Sequence, residues 1–259
     1  NQFKMKKLLL LSLSFCSFCF SQKATTVPPP ATQNQYVEIS YIKPNPEMNY
    51  GKILNENWKK LHQKRADNGT IIGWDVWWAD GSNDESDYNI VIATLVNHPD
   101  SLRVNPGIRS VFPEWNDNQY NRFVNENKKS RKIVKNRLVV VKEGVFRGDS
   151  VSSMAVLNYM KVDIKNAAKY ENFEREYMKG FKQSPKYGWV LHKRVDKVGS
   201  ALKWNYLTAD LYNSMDDLMK ERVPTGDPSK NKALMKGLAT RDHVWSETLW
   251  NWMSIRKKE

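Results

Sequence analysis

Hydrophobic and polar positions change period several times along this chain. "YVEISYIK" (36–43) alternates and is rich in β-formers, which predicts a strand. Over 47–66 the apolar residues Tyr50, Ile53, Leu54, Trp58 and Leu61 form a helical stripe, with Pro44 and Pro46 ahead of it where proline breaks nothing. "IIGWDVWW" (71–78) predicts a second strand, "DGSNDESD" (80–87) a polar hairpin and 88–97 a third strand. Pro99 is expected to open a second helix, and "RLVVVKEGVF" (137–146) reads as a fourth strand.

The same succession then recurs. "YNIVIATLVNHPDSL" (88–102) and "WNYLTADLYNSMDDL" (204–218) share Asn89/Asn205, Ala93/Ala209, Leu95/Leu211, Asn97/Asn213, Asp100/Asp216 and Leu102/Leu218. "YIK" (41–43) returns as "YMK" (159–161), "YGKILNENWKKL" (50–61) as "YENFEREYMKGF" (170–181), and the "GW" at 73–74 as that at 188–189. Four blocks in one order indicate an internal duplication. In the second half Ser214 with Asp217 should cap the second helix, and "RDHVWSETLWNWM" (241–253) should supply the last strand.

Strand, helix, strand, strand, helix, strand, performed twice, predicts an α+β protein of two tandem ferredoxin-like βαββαβ repeats forming one α/β barrel. The repeats are expected at 36–150 and 151–259. A ferredoxin-like sheet has helices on one face only, so its bare face needs cover. The compact aliphatics Val91, Ala93, Leu95, Leu207, Ala209 and Leu211 are expected under the helices. The alternate face of the third strand of each half, including Trp204, Tyr206, Thr208, Asp210 and Tyr212, is expected to point inward, sheet against sheet.

This layout resembles the dimeric α/β-barrel superfamily in its tandem single-chain form, over about residues 36–256, and "WKKLHQKR" (58–65) is similar to exported bacterial members of uncharacterised role. The resemblance implies a broad set of activities: cofactor-free oxygenases, haem-degrading enzymes, haem peroxidases, chlorite-splitting enzymes, lactone isomerases and small-ligand proteins. It supports fold more than function.

The amino terminus changes the chemical inventory. "KMKKLLLLSLSFCSFCFSQ" (4–22) reads as a secretory signal ending after Ser21, followed by a Pro-containing polar tether to residue 35, so export to the periplasm or beyond is expected. As a helix its thirteen apolar residues span about 20 Å, short of a hydrocarbon core about 30 Å thick. Cys16 and Cys19, the only cysteines, would leave with it, taking disulfides and thiolate chemistry with them. The formal charge of +13 falls to about +10 on cleavage. A solvated basic surface accounts for it, with anionic envelope material as the sharper alternative. Nucleic acid is not expected as a partner.

Candidate chemistry is sparse. No nucleotide-binding glycine loop, Ser-elbow or zinc-protease helix occurs. His62 sits at the edge of the helical stripe with Arg65 one turn on, which suits a base, or a haem ligand, beside an anion-binding guanidinium. Asp210, between Tyr206 and Tyr212, is the second candidate base, and Glu38 is expected inward on its own strand. Trp204, Tyr206, Tyr212 and Arg241 are the expected ligand-binding partners. His243, Trp245 and Glu247, with His192, share a side if 241–247 is extended, but no tight metal-ligand spacing is present, and no metal is expected. Trp115, in the loop expected at 112–120, could cap a cavity mouth. The chain is thus expected to be a monomer or weak dimer that binds a small aromatic or anionic molecule, as a cofactor-independent oxygenase or isomerase. The alternatives are an envelope interaction protein or a haem-binding barrel.

Overall fold

The structure, a computed structural model, describes residues 35–223 and 227–258; the expected signal and nearly all of the tether lie outside that range. Eight strands form one closed antiparallel barrel. They are β1 (Tyr36–Pro44), β2 (Gly73–Ala79), β3 (Ile90–Val96), β4 (Arg131–Phe146), β5 (Met154–Lys161), β6 (Gly188–Arg194), β7 (Tyr206–Tyr212) and β8 (Asp242–Arg256). Around the barrel the order is β1-β3-β2-β8-β5-β7-β6-β4. The order β4-β1-β3-β2 in the first half therefore recurs as β8-β5-β7-β6 in the second.

Closure follows from strand length. β4 has 16 residues and β8 has 15, about twice the length of the other strands. Each uses one stretch to pair within its own half, β4 with β1 and β8 with β5. Each then runs on to pair with the second strand of the other half, β4 with β6 and β8 with β2. No sheet edge is left to template aggregation.

The helices lie outside the barrel. α1 (Tyr50–Ile53), capped by the Asn49 side chain, runs through a π-helical turn at Leu54–Trp58 into α2 (Lys59–Asp67). Pro99 opens only a short 3₁₀ turn, Pro99–Leu102. The expected helix comes later, as α3 (Asp117–Lys129), where Asn116 and Gln119 form a capping box. Trp115 does not line the barrel cavity; it stacks on Phe112 at 4.2 Å, packs against Phe123 of α3 and borders a surface pocket between α1 and α3. In the second half α4 (Ala167–Tyr177) matches α1 and the π-helical turn, Ser214 caps α5 (Met215–Arg222) as expected, and α6 (Lys232–Leu238) follows.

The expected assignment of faces is inverted. Val91, Leu207 and Ala209 belong to the cluster inside the barrel, with Val37, Ile39, Ala155, Leu157 and Val190. Ile90, Ile92 and Val96 instead pack with Ile53 and Leu61 beneath the first-half helices. Tyr206 packs with Tyr170 of α4, and Tyr212 with Leu218 of α5. An eight-stranded barrel has room for side chains that meet across it or for one small ligand; here compact aliphatics line one end, and the rings of Tyr41, Tyr159, Trp204 and Trp245 fill the other. The sheet–helix layer is open at its rim and takes large rings whose hydroxyls reach polar partners.

Candidate functional site

In the first half a pocket of about 140 Å³ lies between the sheet and α1–α2. Glu38 from β1, Trp74 from β2 and Thr94 from β3 form its floor, and Trp58, His62 and Arg65 form its roof. Strand alternation puts Glu38 and Thr94 on one face, and their backbones pair directly. The π-helical turn carries Leu54 and Trp58 into the pocket; such turns recur where a helix serves a site.

His62 lies flat on Trp74, ring centroids 4.5 Å apart and planes 14° from parallel. Arg65 Nη1 donates to His62 Nδ1 at 3.3 Å, and Nη2 donates to the Ser101 carbonyl at 3.1 Å. A guanidinium can only donate, so Nδ1 is the acceptor and the ring proton belongs on Nε2. Burial, reinforced by the Arg65 charge, pushes the His62 pKa down to about 3. The ring is therefore a neutral N–H donor at neutral pH, with its basic lone pair already engaged.

Arg65 is itself incompletely matched. Its residue is 6% exposed and its Nε has no partner. Among the described residues it makes no contact ion pair; Glu38 acts on it only at longer range. Glu38 has its pKa raised by burial, partly offset by Arg65. Arg131 enters the same pocket, its Nε donating to Tyr50 Oη at 3.0 Å. Two guanidinium groups, one carboxyl and two indoles thus converge on a small partly polar space, which can accept an anionic planar molecule and exchange a proton with it.

The pocket does not fit a haem. Nδ1 of His62 accepts from Arg65 and Nε2 carries the proton, so neither nitrogen offers a free lone pair to an iron, and about 140 Å³ does not hold a porphyrin.

The second-half group expected from sequence does not surround a cavity. Asp210 lies on the helix side, accepting from Asn158 Nδ2 at 3.0 Å and facing Lys186 Nζ at 3.5 Å. Lys186 also meets Glu221 at 3.1 Å, so this carboxylate sits in a closed ionic group; burial raises its pKa and Lys186 counters that. The Tyr206 hydroxyl donates to Glu171 at 2.6 Å. Tyr212 is buried against α5, and Arg241 lies 3.9 Å from buried Glu174. Trp204 alone faces the barrel interior, edge-on to Tyr159 at 5.1 Å. A register shift in β8 separates His243 from Trp245: the first bonds Ser246 on the surface, the second stacks on Tyr159 at 4.0 Å. Among the described residues no group of histidine, cysteine and acidic side chains is gathered to hold a metal ion.

Sequence reasoning brought His62 and Arg65 forward but underweighted Glu38 and passed over Arg131. Arg131 sits in a basic run that looks solvated, and only the pairing of β4 with β1 turns it toward Tyr50.

Family models and curated proteins give no match to this chain. Solved structures do. An anthrone oxidase-like protein is 13% identical, with 88% of this chain and 95% of that one covered, at a TM-score of 0.56. A protein of Fusobacterium nucleatum assigned as a monooxygenase is 9% identical, with 89% and 100% covered, at 0.58. A chlorite dismutase variant from Candidatus Nitrospira defluvii is 10% identical, with 85% and 92% covered, at 0.53. At these identities the likeness establishes the fold. The chain has the dimeric α/β-barrel architecture, closed within a single polypeptide.

Proposed function

We propose that this protein binds a small hydroxylated aromatic molecule in the first-half sheet–helix pocket and oxidises it with molecular oxygen, without a cofactor. The observation that carries the reading is the buried Arg65–His62 pair, short of a contact anion, sharing its pocket with Glu38, whose proton affinity burial raises. Arg65 and the Nε2–H of His62 bind the developing phenolate or enolate oxygen. Glu38, whose raised pKa suits a proton acceptor, takes the substrate proton. Trp58 and Trp74 supply flat apolar walls. Electrons pass from the deprotonated carbon to oxygen; one oxygen atom is incorporated and the other leaves as water.

The likeness to an anthrone oxidase-like protein suggests the reaction type, and a pocket of about 140 Å³ suits a single ring. Oxygen uptake with 2,6-dimethylphenol should exceed the uncatalysed rate and yield the benzoquinone and water. Glu38→Gln should lower kcat by about 10²-fold or more, the scale of a lost general base. Arg65→Gln should raise KM. A wild-type chain that neither outpaces background oxidation nor shows tryptophan quenching by the phenol would sink the reading.

The two β4-β1-β3-β2-type orders are read here as duplicated ferredoxin-like units. Export with loss of residues 1–21 belongs to the same proposal. Amino-terminal sequencing of the secreted or periplasmic chain should begin at Gln22; retention of Met5 would refute it.

A further inference from the structure

The barrel interior is not filled. A cavity of about 370 Å³ occupies the end of the barrel where β1 and β5 begin, within the size range of small-molecule sites. The duplication explains the space. Val37, Ala93 and Asp75 are matched across the barrel by Ala155, Ala209 and Val190, so small side chains face each other from both halves. At the opposite end, large rings (Tyr41, Tyr159, Trp204 and Trp245) close the axis. The segment Gly148–Ser152, joining β4 to β5, lies over the cavity end.

Among the described residues, two polar atoms in this wall have no partner. His192 Nδ1 and Ser152 Oγ are both buried without a hydrogen bond, in residues 7% and 2% exposed. A buried polar group left unsatisfied is destabilising, and such groups are normally paired. Both line the cavity. Of the charged lining residues, Arg256 donates to both Asp75 carboxylate oxygens, at 2.7 and 3.0 Å, and Asp149 is exposed to solvent at the cavity mouth.

We infer that the barrel interior is a second ligand site, taking an uncharged, largely apolar molecule with one hydrogen-bonding oxygen that meets His192 and Ser152. The site is separate from the pocket of Arg65 and does not depend on the reading of that pocket. An anionic head group is disfavoured, because the one cation in this wall, Arg256, is already paired with Asp75 and Asp149 would repel a further negative charge.

The test uses the full chain and the neutral fluorescent probe N-phenyl-1-naphthylamine. Saturable one-to-one binding is expected, with displacement by 1-decanol. Decanoate at pH 8 should displace at least about tenfold less well. Ala209→Phe, which fills the cavity from β7, should weaken probe binding tenfold or more while circular dichroism is retained. Ala155→Met, a smaller filling, serves if the first variant fails to fold. His192→Leu should keep probe binding but erase the preference for decanol over decane. Arg65→Gln should leave probe affinity unchanged. Absence of saturable binding, or wild-type affinity in both folded filling variants, overturns the inference. So does loss of probe binding in Arg65→Gln, which would place the probe in the sheet–helix pocket.

Discussion

The hydroxyls of Tyr41 and Tyr159 meet across the barrel at 2.8 Å, and the two residues hold the same place in the two halves of the chain. All neighbouring strands are antiparallel, so β1 and β5 run in the same direction and the approximate two-fold relation lies along the barrel axis. Symmetry breaks at the next partner. The Tyr159 hydroxyl donates to Glu247 Oε1, which leaves Tyr41 to donate to Tyr159. Tyr88 donates to the other Glu247 oxygen at 2.5 Å.

Directionality makes the two tyrosines unequal. Tyr41→Phe removes one hydrogen bond and should cost about 1 kcal/mol. Tyr159→Phe strips Glu247 of a donor and Tyr41 of its acceptor, and should cost about 2–3 kcal/mol. Urea unfolding of both variants measures the difference; equal losses would contradict the chain of donors.

The lysines that follow these tyrosines clamp the hairpins. Lys43 Nζ donates to the carbonyls of Asn83, Asp84 and Ser86, and Lys161 Nζ to those of Ser200 and Leu202. Lys43→Met should therefore speed amide hydrogen exchange across 81–88 by about tenfold or more, with little change in β1, since opening is local.

Two buried groups pull stability in opposite directions with pH. His62 has a folded pKa of about 3 against an ordinary 6.5, so the unfolded chain takes up the proton first and stability falls as pH drops from 6.5 toward 3. Glu174 is raised by burial from 4.5 to about 7, with Tyr170 and Arg241 working against the rise. Its contribution is complete below pH 4.5 and is lost as pH climbs through 7. His62→Asn, which keeps an acceptor for Arg65, should flatten the acid side of a plot of urea midpoint against pH. Glu174→Gln should flatten the rise-side loss between 4.5 and 7.

Gly237 permits close helix packing. A Cβ there would lie 1.9 Å from the Phe173 ring of α4. Gly237→Ala should lower stability by about 1–3 kcal/mol, although alanine is the better helix former by about 1 kcal/mol. A raised melting temperature would show that Phe173 moves aside freely.

The periodicities and the repeated blocks determined a great deal on their own. Strand alternation in 36–43 and 88–97, the stripe from Tyr50 to Leu61 and the recurrence of Tyr41 as Tyr159 are local properties of the chain, and they yield the element order and the barrel. His62 and Arg65 were legible as partners because one helical turn separates them. Alternation says that two faces differ; it does not say which one is inside. That choice is made when the sheet closes and the helices pack on its outer surface, which leaves Ala93 and Ala209 inside and Tyr206 and Tyr212 under the helices, with Asp210 beside Lys186. The convergence of Glu38 and Arg131 on His62, and the meeting of Ser152 and His192 around one cavity, were likewise decided only by tertiary structure. Each joins residues far apart in the chain, and strand register, which no short stretch encodes, brings them together.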